Sequence, residues 1–205
     1  MWVYHEIHGL IRSVNSDDTD RLAYVGDLLQ NFDKLLHVHQ DGEDELMYPK
    51  IAQRAPACAL HVDQMLQHHR ELSAMLRELE RLRDQWIRSA DVAAGKEVAD
   101  KYEALSVRLD GHLRREVTEV MPVADVVLSQ KEIDQLAQHG VDSFDKKVML
   151  AYLGMIFATN PVEDQKEFLK EIPLPVRMIY RLKGRSIFEK QFQTLFPGRP
   201  IPATI

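Results

Sequence analysis

The sequence predicts an all-α protein: an antiparallel up-down four-helix bundle followed by a C-terminal extension of short helices. Three observations predict it. Four long segments between Trp2 and Leu128 are rich in Leu, Ala, Glu, Arg and Gln and repeat apolar residues at three-and-four spacing. The breaks between them, near Ser16, Pro56 and Ala90, are short, so consecutive helices return alongside one another. Beyond residue 142 the pattern changes, and that stretch holds six of the nine prolines.

The first helix spans about Trp2 to Val14 and stops at Asn15-Ser16-Asp17-Asp18, a cluster suited to a turn and an N-cap. The second spans about Thr19 to Arg54, with Leu22, Val25, Leu28, Leu29, Phe32, Leu35 and Leu36 on one stripe; Pro49 should kink it or end its regular part. The third covers about Ala59 to Arg88, with Met65, Leu72, Met75, Leu76, Leu79, Leu82 and Trp86 facing inward, and the fourth about Val92 to Leu128. Ser129 to Glu132 has capping-box spacing, which predicts a fifth helix ending near His139-Gly140. Asn160-Pro161 suits an N-cap followed by proline at the first helical position, and the tail reads as three or four short helices packed on the bundle. The domain expectation is therefore a bundle over 1–140 and a helical extension over 141–205.

Composition narrows the function. With 45% hydrophobic and 28% charged residues, the 205-residue chain is an ordinary globular one. Cys58 is the lone cysteine, and no secretory pattern marks the first residues, so a reducing cytoplasm is the expected compartment. The longest nearly apolar run, Met149 to Ala158, is half of what a membrane crossing needs. The net charge of −6 argues against nucleic acid as a partner, although residues 170–205 carry +5 and the remainder −11. That basic tail either docks on its own acidic body, stays solvated, or engages a partner or anionic surface.

Chemistry is concentrated in the histidines. Nine are present, and five sit within helices on or beside apolar faces. The string His39-x-x-x-Glu43 is followed six residues on by Pro49, and His112-x-x-x-Glu116 is followed six residues on by Pro122. Residues four apart on a helix share a face, so each pair aims an imidazole and a carboxylate at one point. Two such pairs, with single histidines from the other two helices, would supply four nitrogens and two carboxylates to a bundle core. Two carboxylates can bridge two cations. Imidazole suits iron, copper and zinc, and carboxylate adds the harder character that iron or manganese prefers.

Layer arithmetic supports the same site. Glu43 and His69 each lie thirteen residues from Pro56, and His69 and His112 lie twenty-one and twenty-two from Ala90, so three helices converge on one level. The first helix closes less well. His8 is eight residues from Ser16, while His39 is more than twenty beyond it.

The string from His39 to Pro49 resembles the signature of the hemerythrin-like, or HHE cation-binding, family, in which a ligand His-x-x-x-Glu leads into an aromatic-proline step. His8-Gly-Leu-Ile-Arg12 resembles that family's first-helix ligand, Gln67-His68-His69 its third-helix ligand, and His112-x-x-x-Glu116 with Pro122 its fourth, over roughly residues 2 to 138. The resemblance implies two non-haem iron ions with oxo or hydroxo and carboxylate bridges. Glu43 and Glu116 would bridge, His69 and His112 would serve one iron, and His8 and His39 the other. Oxygen-carrying members place a histidine where this chain has Met65 and an aspartate in the fourth-helix motif. The six-ligand pattern here is closer to mycobacterial-type members, some of which recruit a tyrosine at the position of Met47; here Tyr48 is next to it. The implied function is a di-iron protein that binds, senses or reacts with oxygen, peroxide or nitric oxide, as an oxidoreductase of peroxide-decomposing or oxidase type. The rival readings are a metal- or ligand-responsive regulatory module using the Arg177 to Lys183 stretch, and a metal-free structural bundle.

Other candidates read as structural. His5 suits the helix surface or the outer surroundings of the site. His68 is 100° around the helix from His69 and cannot share its metals, His61 is two turns too far, and His37 faces elsewhere. Asp44 and Glu45 suit solvated positions, Tyr48 a core position, and Cys58 has no basic partner to activate it.

Overall fold

A computed structural model describes residues 2–158, 161–172 and 174–202. Among these no strand occurs, and the chain forms two compact units, residues 3–143 and 144–205. No helix among them is long and apolar enough to cross a membrane.

The first unit begins with α1, Trp2–Arg12, and α2, Thr19–Gly42. Asp18 caps α2 as its position suggested, its carboxylate accepting from Arg21 N–H at 3.0 Å. After Gly42 the helix does not stop. A five-residue wide turn, Glu43–Met47, leads into α3, Tyr48–Arg54. A 3₁₀ turn, Pro56–Cys58, then opens α4, Ala59–Ser89, which ends on Ala90 in the left-handed conformation (φ 52°). Asp91 caps α5, Val92–Arg115, which runs through a second wide turn, Glu116–Val120, into α6, Met121–Val127. The Ser129 and Glu132 capping box starts α7, Gln130–Asp142.

Polar pairs between helices fix the register. Asp33–Arg83, His37–Glu80 and Asp44–His69 run α2 antiparallel to α4, and Glu71–Arg108 with Glu78–Lys101 run α4 antiparallel to α5. Between the helices lie the stripes expected from the spacing: Leu22, Val25, Leu29, Phe32 and Leu36 on α2, Leu72, Leu76, Leu79 and Trp86 on α4, and Val98, Leu105 and Leu109 on α5, all buried. One polar group breaks the far half of this core. Asp33 accepts from Arg83 and from the Tyr102 hydroxyl (2.7 Å), with all three buried.

The wide turns have a common cause. Pro49 and Pro122 lack an N–H and crowd the carbonyl four residues back, which a regular α-helix cannot accommodate. In each case the preceding residue bonds five back instead, Tyr48 N–H to Glu43 C=O and Met121 N–H to Glu116 C=O. Above them a second core of Met47, Tyr48, Ile51, Val62, Met65, Val120 and Ala124 closes the end of the bundle. Leu136 of α7 packs on that core.

The second unit contains α8, Lys146–Ala158; α9, Val162–Glu171; α10, Leu174–Ile179; a wide turn, Tyr180–Gly184; and α11, Arg185–Leu195. Its core gathers Leu150, Leu153, Phe157, Leu169, Ile172 and Tyr180. Pro161 stands at the N-cap of α9 rather than at its first helical position, and Asn160 lies outside the described residues.

Candidate metal centre

Five of the six sequence-predicted ligands come together where the two wide turns begin. His39 and Glu43 lie at the end of α2, His112 and Glu116 at the end of α5, and one ligand atom from each of the four lies within 4.8 Å of the others. His69 enters from α4, its Nε2 3.4 Å from Glu43 Oε2 and 3.2 Å from His112 Nε2. His39 Nε2 stands 3.2 Å from Glu43 Oε1 and 3.9 Å from Glu116 Oε2. Three imidazoles and two carboxylates thus share one space.

That space is enclosed but not uniformly. The side chains of His69 and His112 are 2% and 0% exposed, while that of His39 is 38% exposed with only its Nε2 shut away from solvent. Burial pushes the Glu116 carboxyl up to about 8, with Glu43 alongside adding to the rise. Burial also drives His112 down to about 3, helped by His69 and His39, and holds His39 below its usual value. For His69 burial pulls the same way, but Glu43 and Asp44 outweigh it and raise the imidazole.

These features fit a cation. Two carboxylates are crowded together in a buried space, and two of the facing imidazoles are kept neutral, the form in which imidazole ligates. His39 Nε2 is buried without a hydrogen-bond partner although it stands within 4 Å of both carboxylates. An ion would satisfy all of these atoms at once.

His8 makes its bond to Arg12. Its Nδ1 accepts from Arg12 Nη1 at 2.9 Å, and Arg12 Nη2 in turn meets Asp100 (2.7 Å) and Glu103 (2.9 Å) on α5. Those two acids lie twelve and nine residues before His112, roughly 13 to 18 Å along the axis, whereas His8 is one turn, about 6 Å, from Arg12. Arg12 thereby ties His8 to acids on the earlier part of α5. The His5 side chain lies outside what is described.

Two residues read as structural take part. Asp44 accepts from His69 Nδ1 at 2.6 Å, which fixes the tautomer and leaves Nε2 facing the cluster. Tyr48 is buried as expected, yet its hydroxyl donates to Glu43 Oε2 at 3.4 Å and its ring lies 5.5 Å from that of His69. The wide turn explains Tyr48: with five residues in the turn, the position above Glu43 is residue 48 and not 47. Burial and the nearby Glu43 raise the Tyr48 hydroxyl, keeping it protonated.

The remaining histidines stay outside. His61 pairs with Glu119 (3.1 Å), and His37 is half-buried against Glu80 (3.3 Å) rather than free in solvent. His68 sets its ring edge-on to that of His112 at 5.8 Å.

Residues 4–124 match the family described as Hemerythrin HHE cation binding domain. Neither the curated proteins nor the solved structures include a match to the chain.

Proposed function

Because the chain belongs to the hemerythrin HHE cation-binding family, we propose that His39, Glu43, His69, His112 and Glu116 hold two non-haem iron ions and that the protein binds, senses or reacts with oxygen, peroxide or nitric oxide. One observation carries this reading: two helices present the same His-x-x-x-Glu pair at the start of the same wide turn, and the four side chains meet.

Glu43 and Glu116 stand between the imidazoles and would hold the ions, together with His69 and His112 on the buried side and His39 on the half-exposed side. Bound iron supplies electron transfer and open coordination positions for a small ligand. Asp44 holds the His69 ring in place and strengthens it as a donor. Tyr48 keeps a proton at its hydroxyl and donates it toward Glu43, and with Met47, Met65 and Val120 it excludes water from above. The half-exposed side chain of His39 marks the side of the site where a small ligand enters. The metal chemistry belongs to residues 1–140, and residues 141–205 form a helical extension.

The test is elemental analysis of protein expressed with ample iron and purified without chelator, together with a visible spectrum before and after peroxide. About two irons per chain with near-ultraviolet charge-transfer bands that respond to peroxide are expected. Protein that takes up no iron overturns the reading.

A further inference from the structure

Gln40 occupies the interior stripe of α2 where an apolar residue belongs. The stripe runs Leu22, Val25, Leu29, Phe32, Leu36, Gln40 and then Glu43, so Gln40 is the last interior side chain before the bridging carboxylate. It is 2% exposed. Its carbonyl oxygen accepts from the Ser73 hydroxyl at 3.0 Å, and Ser73 sits one turn after His69 on α4. Its amide nitrogen is buried and has no hydrogen-bond partner.

A buried amide left half-bonded destabilises the fold, and Leu or Met would fill the same volume without that cost. With the Ser73 hydroxyl donating to Oε1, Nε2 is the free end of the amide. The free donor is next to the metal centre for two reasons. Gln40 is about 4.5 Å from Glu43 along the helix axis. Its partner Ser73 lies one turn from His69 on α4, so the pair forms the layer next to Glu43 and His69. Leu36, one turn earlier on the same stripe, offers no acceptor.

We propose that Gln40 is a specificity-determining residue whose amide Nε2, aimed by Ser73, donates a hydrogen bond to a small anionic or oxygen-bearing ligand held at the His–Glu cluster. This rests on the iron-binding reading above. The Gln40–Ser73 pair then forms a polar floor opposite the apolar roof of Met47, Tyr48, Met65 and Val120. Such a floor selects ligands that carry a hydrogen-bond acceptor on the atom remote from the metal. A ligand without one leaves the amide unbonded and binds less well.

Azide is a suitable probe because it is anionic and absorbs in the visible when bound to ferric ions. The full chain, loaded with iron, is titrated with azide as wild type, Gln40→Leu, Gln40→Met and Ser73→Ala, with iron content measured for each. Gln40→Leu and Gln40→Met are expected to keep their iron and to bind azide about fivefold more weakly, the worth of one hydrogen bond. Ser73→Ala is expected to fall between, because the amide remains but is free to turn over. Azide affinity equal to wild type in the iron-loaded Gln40 variants overturns the proposal. So does loss of iron in both Gln40 variants, which would make the amide a support for the metal ligands. Failure of wild type itself to take up iron would instead overturn the function proposed above, so the two failures are told apart by the wild-type metal content.

Discussion

Asp44 grips His69 from behind: the carboxylate accepts from Nδ1 at 2.6 Å while Nε2 of the same ring stands 3.4 Å from Glu43, the residue next to Asp44 in the chain. Adjacent residues of one helix thus hold opposite edges of a single imidazole contributed by another. Replacing Asp44 by Ala frees the ring to turn and removes its carboxylate partner. The expected effect is a ten- to hundredfold loss of iron affinity with the helical content unchanged. Competition against a chelator of known affinity measures it, and unchanged affinity would refute the role.

His8 and His39 were expected to share an ion, and they separate cleanly by experiment. His39→Ala removes an imidazole that faces both carboxylates and should lower iron content by about one ion per chain. His8→Ala breaks only the bond from Arg12 and should leave iron content as in wild type. Iron loss in the His8 variant equal to that in the His39 variant would restore the six-ligand set.

The metal-free protein should lose stability on both sides of mildly acidic pH. In the folded chain Glu116 keeps its proton up to about 8 instead of the usual 4.5, so between those values the folded state holds more protons than the unfolded one and stability falls as pH rises. His69, raised by Glu43 and Asp44 against the pull of burial, acts in the same direction above 6.5. His112 stays unprotonated down to about 3 instead of 6.5, so stability falls as pH drops through that range. His39, also held below its usual value, acts with His112, so between 4.5 and 6.5 the opposing slopes only partly offset. Urea unfolding of chelator-treated protein from pH 3 to 9 reads this, and Glu116→Gln should flatten the alkaline limb by about 1.4 kcal/mol per pH unit. Stability that climbs from pH 6.5 to 8 in the metal-free wild type would contradict the Glu116 assignment.

The buried Asp33, Arg83 and Tyr102 group lies ten residues before Glu43 and His112 on their helices, well clear of the site. Asp33→Ala leaves the Arg83 guanidinium buried without its main partner and should destabilise the fold by about 3 to 5 kcal/mol. Tyr102→Phe, which removes one hydrogen bond, should cost about 1 kcal/mol. Denaturant midpoints at constant slope measure both, and an Asp33→Ala midpoint equal to wild type would show that the pair adds nothing.

The doubled His-x-x-x-Glu pattern and the layer arithmetic made most of this legible in advance, because both depend only on helical periodicity. Glu43, His69 and His112 were placed on one level from their distances to Pro56 and Ala90, and they do meet. What escaped was whatever the wide turns control. Tyr48 looked one residue out of phase with Glu43, since counting in fours lands on Met47, and only a turn of five brings residue 48 above it. Asp44 looked solvated because its neighbour Glu43 already claimed the interior, and its partner is 25 residues away in sequence. His8 shows the opposite limit. Its local string resembles a ligand motif, but the string carries no sign of the Arg12 bridge to Asp100 and Glu103, about ninety residues away, that holds its ring nitrogen. The five residues beyond each motif's glutamate carried a further signal: a proline at the sixth position forces the helix to widen before it.

Each wide turn inserts a phase shift between two helical clocks. Below it, α2 and α5 keep the rhythm of the bundle and deliver His39 and His112; above it, α3 and α6 run on a rhythm displaced by one residue and build the roof. The two halves of each helix can therefore drift independently in sequence, since a one-residue deletion between Glu43 and Pro49 would rotate the roof by about 100° while leaving the metal-facing half in step. The prolines act as the escapement that holds that offset.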